Sequence, residues 1–333
     1  MPHVQTVLGP VDPQTLGRVM PHEHVFSLQP GDWGADAVDA AVAALLPLRD
    51  LGFGTVVDLS PYGVVGRDAD GANVEALREV ARRTGLHVVA GTAVYLESFS
   101  PDWAREASVE ELADRFVADA TTGIGATSVR AGVLGEQATG LGEITDHEEK
   151  AFRAVLRAQR RTGLALFTHT THGTMAHDQV DLALEEGADL DRVVIGHLDT
   201  QLEVEPALSL AERGVLVAVD TIGKQEWDFF LGPADTERPE GEFAKRAFHR
   251  SDDRRADLVA ALVAAGHVER VVLAQDLTGA ECWMNPTTHG TLGYRYLAEQ
   301  FVPRLLARGV GEDAVETMLA RTPARLLTVE DRS

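Results

Sequence analysis

One stretch near the amino terminus decides how the rest of the chain is arranged: Val19-Met20-Pro21-His22-Glu23-His24-Val25. It ends a short apolar run with two histidines that are separated by one residue. In an extended strand, residues i and i+2 point to the same face, so His22 and His24 would project together. Neutral imidazole is a common protein ligand for zinc-like ions. The stretch therefore predicts a strand whose end offers two nitrogens to a metal, although an isolated H-x-H pair is a weak signal.

The composition places the chain among globular proteins with a sizeable core. Of 333 residues, 44% are hydrophobic and 25% are charged. The formal net charge of −22 argues against nucleic acid or an anionic membrane surface as the main partner. A single cysteine, Cys282, rules out an internal disulfide framework and fits a reducing cytoplasm. With neither a signal-peptide pattern nor an apolar run of roughly 20 residues, we expect a soluble, cytoplasmic protein.

Beyond the histidine pair, short apolar segments alternate with helical patterns. An Ala-rich segment at 35–51 has apolar residues at helical spacing, and a β-branched run follows at 54–59. Further strands are predicted at 86–92, 129–134, 164–169, 193–197, 215–220 and 271–276. Further helices are predicted near 69–84, 109–121, 147–162, 177–186, 204–213, 253–265, 294–308 and 312–320.

Counting the first strand, this pattern gives eight strands of the buried type, nearly all separated by helices. Continuous apolar runs are typical of parallel strands that are covered on both faces. The pattern predicts an α/β fold, namely a (β/α)8 TIM-type barrel, with a doubly wound open sheet as the alternative. The chain has no G-x-G-x-x-G motif after a strand and no GK[ST] loop, which weakens a nucleotide-binding reading.

No low-complexity linker divides the chain, so we expect a single domain. Residues 1–16 would form a capping strand and turn, residues 17–290 the barrel, and residues 291–333 the closing helices. The longest loops, 221–250 and 277–290, follow strands seven and eight. In a barrel both would lie at the mouth, where the active sites of this architecture are built.

Six side chains that can ligate a metal are predicted at the carboxyl ends of strands. Glu136 follows strand four, and the others end strands one, five, six and eight. The full set is His22, His24, Glu136, His169, His197 and Asp276. Taken singly, each could cap a loop or a helix or lie in solvent. Together, imidazoles and carboxylates without cysteine suit zinc, manganese, iron or cobalt, and two bridged ions would use all six.

These residues resemble those of the phosphotriesterase family within the amidohydrolase superfamily. The matching features run almost from end to end: the opening Val4-Gln5-Thr6-Val7-Leu8-Gly9, the H-x-H pair, Thr168-His169-Thr170, Gly196-His197 and Asp276. The resemblance implies a binuclear metal hydrolase on a distorted (β/α)8 barrel. It also implies that His22, His24 and Asp276 hold a buried ion, while His169 and His197 hold a more exposed one.

One departure from the best-known members is informative. They bridge their metals with a carboxylated lysine, whereas the matching stretch here, Gly132-Val133-Leu134-Gly135-Glu136, offers a glutamate. Glu136 at this place, together with Asp220-Thr221-Ile222-Gly223-Lys224, resembles the phosphotriesterase homology and phosphotriesterase-related branch. Organophosphate turnover is therefore not implied.

The resemblance also implies a mechanism. A hydroxide that bridges two divalent ions, with zinc expected first and manganese, cobalt or iron as alternatives, would cleave a carboxylic ester, lactone or amide of a small molecule. Asp276 would carry a proton to the leaving group. Tyr95, after strand three, would steady the substrate oxygen or have only a structural role.

Substrate class and assembly are less constrained. Lys224, in the loop after strand seven, would anchor an anionic substrate group at the rim or lie solvated. Phosphoester or phosphotriester hydrolysis at the same site is the alternative activity, and a metal-binding protein without catalysis is a third reading. A homodimer is the default expectation for this architecture.

Overall fold

The computed structural model describes residues 1–27, 35–64, 67, 71–201, 203–224, 227–231, 245–249, 251–284 and 292–330. Twelve strands are present in these ranges. They are β1 (Val4–Thr6), β2 (Gly9–Val11), β3 (Arg18–Glu23), β4 (Phe53–Asp58), β5 (His87–Thr92), β6 (Val133–Thr139), β7 (Leu166–Thr170), β8 (Val193–Ile195), β9 (Leu216–Val219), β10 (Trp227–Leu231), β11 (Lys245–His249) and β12 (Val271–Leu273).

Eight of these strands form one parallel sheet with the order β12-β9-β8-β7-β6-β5-β4-β3. Its two outer strands, β3 and β12, meet through backbone hydrogen bonds just beyond their ends. The amide of Asp276 donates to the carbonyl of His22 at 3.0 Å, and the amide of His24 donates to the carbonyl of Leu277 at 2.9 Å. These bonds bring the sheet round on itself, so the predicted (β/α)8 barrel is confirmed.

Helices connect the strands and cover the outside of the barrel. They are α1 (Ala35–Leu45), α2 (Ala72–Thr84), α3 (Asp102–Glu106), α4 (Val109–Thr121), α5 (Asp146–Thr162), α6 (Ala176–Glu185), α7 (Glu205–Glu212), α8 (Asp252–Ala264), α9 (Val302–Ala307), α10 (Glu312–Glu316) and α11 (Thr322–Leu327). Two of them begin with a reciprocal capping box, Ser108 with Glu111 before α4 and Thr145 with Glu148 before α5. Each box satisfies amide groups that the first turn of a helix leaves without partners.

The apolar residues form two clusters, one on each side of the sheet. The larger lies between strands and helices. The smaller, which we call the inner apolar cluster, fills the barrel itself. Its members are Val4, Leu16, Val19, Val57, Leu59, Val89, Val133, Ala165, Phe167, Val194, Leu216, Ala218, Val272, Leu326 and Leu327. The last two come from α11, so the carboxy-terminal helix closes one end of the barrel and leaves the other as a mouth.

The fourth barrel strand differs from the prediction. A strand at 129–134 followed by Glu136 was expected, but β6 spans Val133–Thr139 and Glu136 lies inside it. The prediction ended the strand where polar residues begin. Those polar residues are buried. They still belong to the strand, because the backbone of Gln137 and Thr139 is in register with Thr168 and Thr170 of β7. A pattern of apolar residues cannot reveal a strand end whose side chains line a polar site.

The two long loops contain structure that the sequence pattern did not indicate. Within 221–250, β10 and β11 pair as an antiparallel hairpin. The segment 277–290 begins with a helical turn at Ala280–Met284, and its residues beyond 284 lie outside the described part of the chain. None of the helices in the described ranges combines the length and apolar character needed to cross a membrane.

Candidate metal centre

The histidine pair ends β3 and faces the mouth of the barrel. The two imidazole rings are 5.2 Å apart, centre to centre. Oδ1 of Asp276 lies 3.1 Å from Nε2 of His24 and 3.7 Å from Nε2 of His22. The ligand atoms of these three residues lie within 4.8 Å of one another. The structure therefore brings together the three side chains expected around the buried ion, although they span most of the chain.

Glu136 joins this group to the other two histidines. Its Oε1 atom lies 2.8 Å from Nδ1 of His169 and 2.7 Å from Nε2 of His197. Its Oε2 atom is 3.5 Å from Nε2 of His24. One carboxylate thus stands between both pairs of histidines, which is the place a bridging ligand must occupy.

Asp220 completes the centre and was not predicted as a site residue. It follows β9, and its Oδ2 and Oδ1 atoms accept hydrogen bonds from Nδ1 of His22 at 2.9 Å and Nδ1 of His197 at 3.0 Å. These bonds leave Nε2 of each ring facing Glu136, and such partners fix the tautomer and orientation of ligating histidines. The signal was present, because Asp220 ends a predicted strand just as Asp276 does.

Glu23, between the two histidines, was also missed. Its carboxylate accepts hydrogen bonds from the amides of Gln275 at 3.0 Å and Leu277 at 2.8 Å, on either side of Asp276. Burial raises the pKa of the Glu23 carboxyl to about 8, although these two bonds oppose the shift. Glu23 therefore fixes the backbone that carries Asp276, while the neighbouring histidines point to the site.

The donor set fits a cation. The Nε2 atom of His22 is buried and makes no hydrogen bond to the part of the chain that the structure describes. Burial lowers the pKa of His22, but the hydrogen bond to Asp220 and the charges of Asp220 and Glu136 outweigh it and raise this pKa to about 10. Burial likewise opposes charge on His197, yet the same two carboxylates hold its pKa well above the usual range. The carboxylates thus favour positive charge here, which divalent ions would provide.

Two of the candidate ligands sit on backbone in the left-handed region. The φ angles are 60° at His197 and 51° at Asp276, and neither residue is a glycine. Such conformations cost about 1 to 3 kcal/mol each and persist where the surroundings impose them. His197 lies two residues after the end of β8 and Asp276 three after the end of β12, where this turn directs the side chain into the mouth.

Lys224 is mostly buried, so the solvated alternative is wrong, while its role as an anchor for an anionic substrate group stays a prediction. Its side chain is 16% exposed, and Nζ lies 2.8 Å from Oδ2 of Asp276 and 3.3 Å from Oε1 of Glu281. Burial lowers the pKa of Lys224, but the two carboxylates outweigh it and hold this pKa above its usual range. No sequence pattern indicated a role for Glu281, whose place depends on the course of the loop after β12.

Tyr95 lies at the site, as expected. Its hydroxyl is 3.1 Å from Nδ1 of His169, and the two rings are 4.9 Å apart. Burial, with the negative charges of Glu136 and Asp276, raises the pKa of Tyr95 well above its ordinary value. The hydroxyl therefore stays protonated and remains a hydrogen-bond donor.

These residues open into a cavity of about 770 Å³, a size typical of small-molecule sites. Apolar residues reach it from the segments after β4 and β5, and polar ones from the segments after β9 and β12. Besides the candidate ligands, the cavity is lined by Ser27, Pro61, Val64, Tyr95, Phe99, Lys224, Thr278, Ala280 and Glu281. The cavity thus has an apolar side and a charged side.

Comparison with known proteins agrees with this geometry. The profile of the phosphotriesterase family matches residues 2–327. The chain is 29% identical to the N-acetyltaurine hydrolase of Danio rerio over 362 aligned positions, which cover 98% of this chain and 97% of that protein.

Two solved structures are similar over nearly their whole length. The phosphotriesterase homology protein from Escherichia coli, complexed with phosphate in its active site, gives a TM-score of 0.78 at 29% identity, covering 95% of this chain and 100% of that one. A mutant of a PTE-like lactonase from Deinococcus radiodurans gives a TM-score of 0.80 at 28% identity, covering 97% of this chain and 99% of that one. The chain therefore belongs to the phosphotriesterase family and is a hydrolase of that divalent-metal-dependent family.

Proposed function

We propose that this protein is a binuclear metal-dependent hydrolase that cleaves the ester, lactone or amide bond of a small molecule. The observation that supports this most is the position of Glu136. Its two oxygens reach the His22 and His24 pair on one side and the His169 and His197 pair on the other. His22, His24 and Asp276 would hold one ion, and His169 and His197 the other, with Glu136 shared between them.

Asp276 and the residues around the ligands would have separate roles in the reaction. Bound divalent ions would polarise the scissile carbonyl and acidify the attacking water. Asp276 would accept the proton from that water and deliver it to the leaving group. Tyr95 would donate a hydrogen bond to the substrate oxygen, since its hydroxyl stays protonated. Pro61, Val64 and Phe99 would cover the apolar part of the substrate and exclude water.

The relatives support a carbonyl substrate in particular. One is named for hydrolysis of an N-acetyl amide and another is a lactonase, and both reactions attack a carbonyl carbon. The phosphate in the active site of the Escherichia coli structure supports phosphoester hydrolysis as the second candidate. Zinc is the metal we propose, because imidazole and carboxylate ligands without cysteine suit it.

A hydrolysis screen tests this proposal. Protein reconstituted with Zn²⁺, Mn²⁺ or Co²⁺ is assayed against a lactone, an N-acyl amide and a phosphoester, beside the Glu136→Ala variant. We expect about two ions per wild-type chain and preference for a carbonyl substrate, with Glu136→Ala binding one ion fewer and losing more than about 100-fold in kcat/KM. Faster phosphoester turnover would favour the second candidate. Full activity of Glu136→Ala would contradict the binuclear site.

A further inference from the structure

The two oxygens of Asp276 have different neighbours. Oδ1 faces the histidine pair, 3.1 Å from Nε2 of His24. Oδ2 faces away from them and accepts a hydrogen bond from the ammonium group of Lys224 at 2.8 Å. The carboxylate is therefore divided between a group of metal ligands on one side and a fixed cation on the other.

Hydrogen bonds to other residues fix the backbone at Lys224. Its carbonyl accepts a hydrogen bond from Nη2 of Arg255 at 3.1 Å, and the amide of Gly223 donates to Oδ1 of Asp252 at 3.1 Å. The guanidinium of Arg255 is itself buried against Asp252. Gly223 has a φ of +91°, and a Cβ there would lie 3.2 Å from the ring of Tyr296. A glycine is needed at this turn, and the turn fixes the origin of the lysine side chain.

The second partner of Lys224 is fixed as well. Glu281 lies 3.3 Å from Nζ of Lys224 through Oε1, and its Oε2 accepts the amide of Thr278 at 2.8 Å. Thr278 follows Asp276 by two residues, so Glu281 is tied to the same segment. The ammonium group is thus held between two carboxylates whose positions are set independently of any substrate.

We propose that Lys224 is a positioning residue for Asp276: it holds Oδ2 away from the metal ligands so that Oδ1 alone faces His22 and His24. The ammonium group competes with a cation for this carboxylate, because like charges beside one anion repel each other. Lys224 thereby weakens ion binding at His22, His24 and Asp276. It also keeps the carboxylate oriented for proton transfer, and this second effect rests on the proposed function.

Two other roles for Lys224 make different predictions. A lysine that anchors an anionic substrate changes KM for charged substrates and leaves metal binding unchanged. A lysine that only stabilises the fold changes the unfolding midpoint without changing the affinity of the folded protein. The comparison therefore requires metal affinity, kcat and KM, and a denaturation curve for each variant.

The variants are Lys224→Met, the conservative Lys224→Arg, and Lys150→Met as a matched control. Lys150 is another partly buried lysine, and it donates to the backbone carbonyls of Ala104 and Arg105 away from the centre. Glu281→Gln is added because it keeps the lysine and removes its competing partner. If Lys224→Met does not fold, Glu281→Gln still tests the proposal, because it is expected to weaken ion binding while Lys224→Arg is not.

Titration of the metal-free full-length protein with Co²⁺ is the first readout, followed by visible absorption. We expect Lys224→Met to bind the first ion about 10-fold more tightly and with an altered spectrum, because the freed carboxylate can turn toward it. Glu281→Gln should bind about 3-fold more weakly, since the ammonium then rests on Asp276 alone. Lys224→Arg and Lys150→Met should match wild type. Unchanged affinity and spectrum in Lys224→Met overturn the proposal, whatever the turnover.

Steady-state kinetics on a neutral ester or lactone and its carboxylate-bearing analogue give the second readout. We expect Lys224→Met to lose about 10- to 100-fold in kcat on both, with little change in KM, and Lys224→Arg to recover part of the loss. A rise in KM confined to the charged substrate would overturn the positioning role in favour of anchoring. If wild type cleaves nothing, the proposed function fails, while the Co²⁺ titration still decides the role of Lys224.

Discussion

The mouth of the barrel and its inner apolar cluster are built from the same strands but obey different rules. In β7, Phe167 belongs to the inner apolar cluster, and His169 two residues later reaches Glu136. In β9, Leu216 and Ala218 belong to the cluster, and Asp220 follows on the same side. Strand bodies therefore supply burial, and strand ends supply charge. If this division is complete, substitutions in the inner apolar cluster should leave metal binding unchanged, and substitutions at the mouth should leave stability unchanged.

The largest expected effect would break that division. Arg255 lies at the mouth with its side chain 1% exposed, and it pairs with Asp199 at 2.7 Å and Asp252 at 2.8 Å. Arg255→Met leaves two buried carboxylates without their cation, so we expect the free energy of unfolding to fall by about 3 to 5 kcal/mol. Urea denaturation measures it. The mouth would then contribute to stability as well as to chemistry.

An exposed pair provides the control for Arg255. Arg161 and Asp114 lie 2.7 Å apart with 42% and 67% of their side chains exposed. Arg161→Met should cost less than about 1 kcal/mol, because water screens the pair. A loss of similar size in both variants would contradict the role given to the buried network.

The next prediction tests the same division in the inner apolar cluster. Leu326 of α11 is 1% exposed and belongs to the inner apolar cluster. Leu326→Ala should lower the free energy of unfolding by about 2 to 5 kcal/mol, through lost burial and the cavity left behind. Metal content and kcat/KM of the folded variant should match wild type. A change in metal content would show that the two ends are coupled.

Asp220→Asn should have an intermediate effect and act mainly on metal affinity. The amide keeps the shape of the side chain but cannot accept from both His22 and His197 with full negative charge. We expect affinity to fall about 10- to 100-fold, which is usual for residues that orient metal-bound histidines. Competition with a chelator of known affinity measures this change. An unchanged affinity would mean that the histidines keep their orientation without Asp220.

The smallest expected effect concerns Tyr95→Phe. The substitution removes the hydroxyl 3.1 Å from Nδ1 of His169 and keeps the ring in place. We expect kcat/KM to fall about 2- to 10-fold, the equivalent of one hydrogen bond, with metal content unchanged. Loss of an ion in this variant would instead place Tyr95 among the residues that hold His169.

The sequence predicts the barrel because the fold follows from the alternation of strands and helices, but only some of the six candidate ligands follow from alternation along a strand. His169 continues the inward face of its strand, so a strand prediction suffices to place it. Glu136 comes inward only through a register shift between Leu134 and Gln137, and β3 is irregular between Met20 and Glu23. Alternation alone could not place these side chains. The chemical type of the residues, together with the family resemblance, identified them.

The partners of the ligands were harder to predict. Glu23 and Asp220 are each a single acidic residue in a chain with 52 of them. Their roles depend on which amide or imidazole the fold brings within hydrogen-bond distance. Lys224 shows the same limit, because its burial depends on Glu281 and on a turn fixed by Arg255. Composition and spacing carry no information about such pairings until the tertiary structure exists.

The closure of the barrel by Glu23 has a consequence for the synthesis of the protein. The carboxylate of Glu23 accepts from the amides of Gln275 and Leu277, which lie 252 and 254 residues further along the chain. Large chains begin to fold while the ribosome is still adding residues. A nascent chain can therefore assemble its early strands with His22 and His24 in place, but the segment that carries Asp276 emerges only near the end. The complete set of candidate ligands cannot form until translation has passed Leu277, so an ion that needs all of them would be loaded late in synthesis or after it.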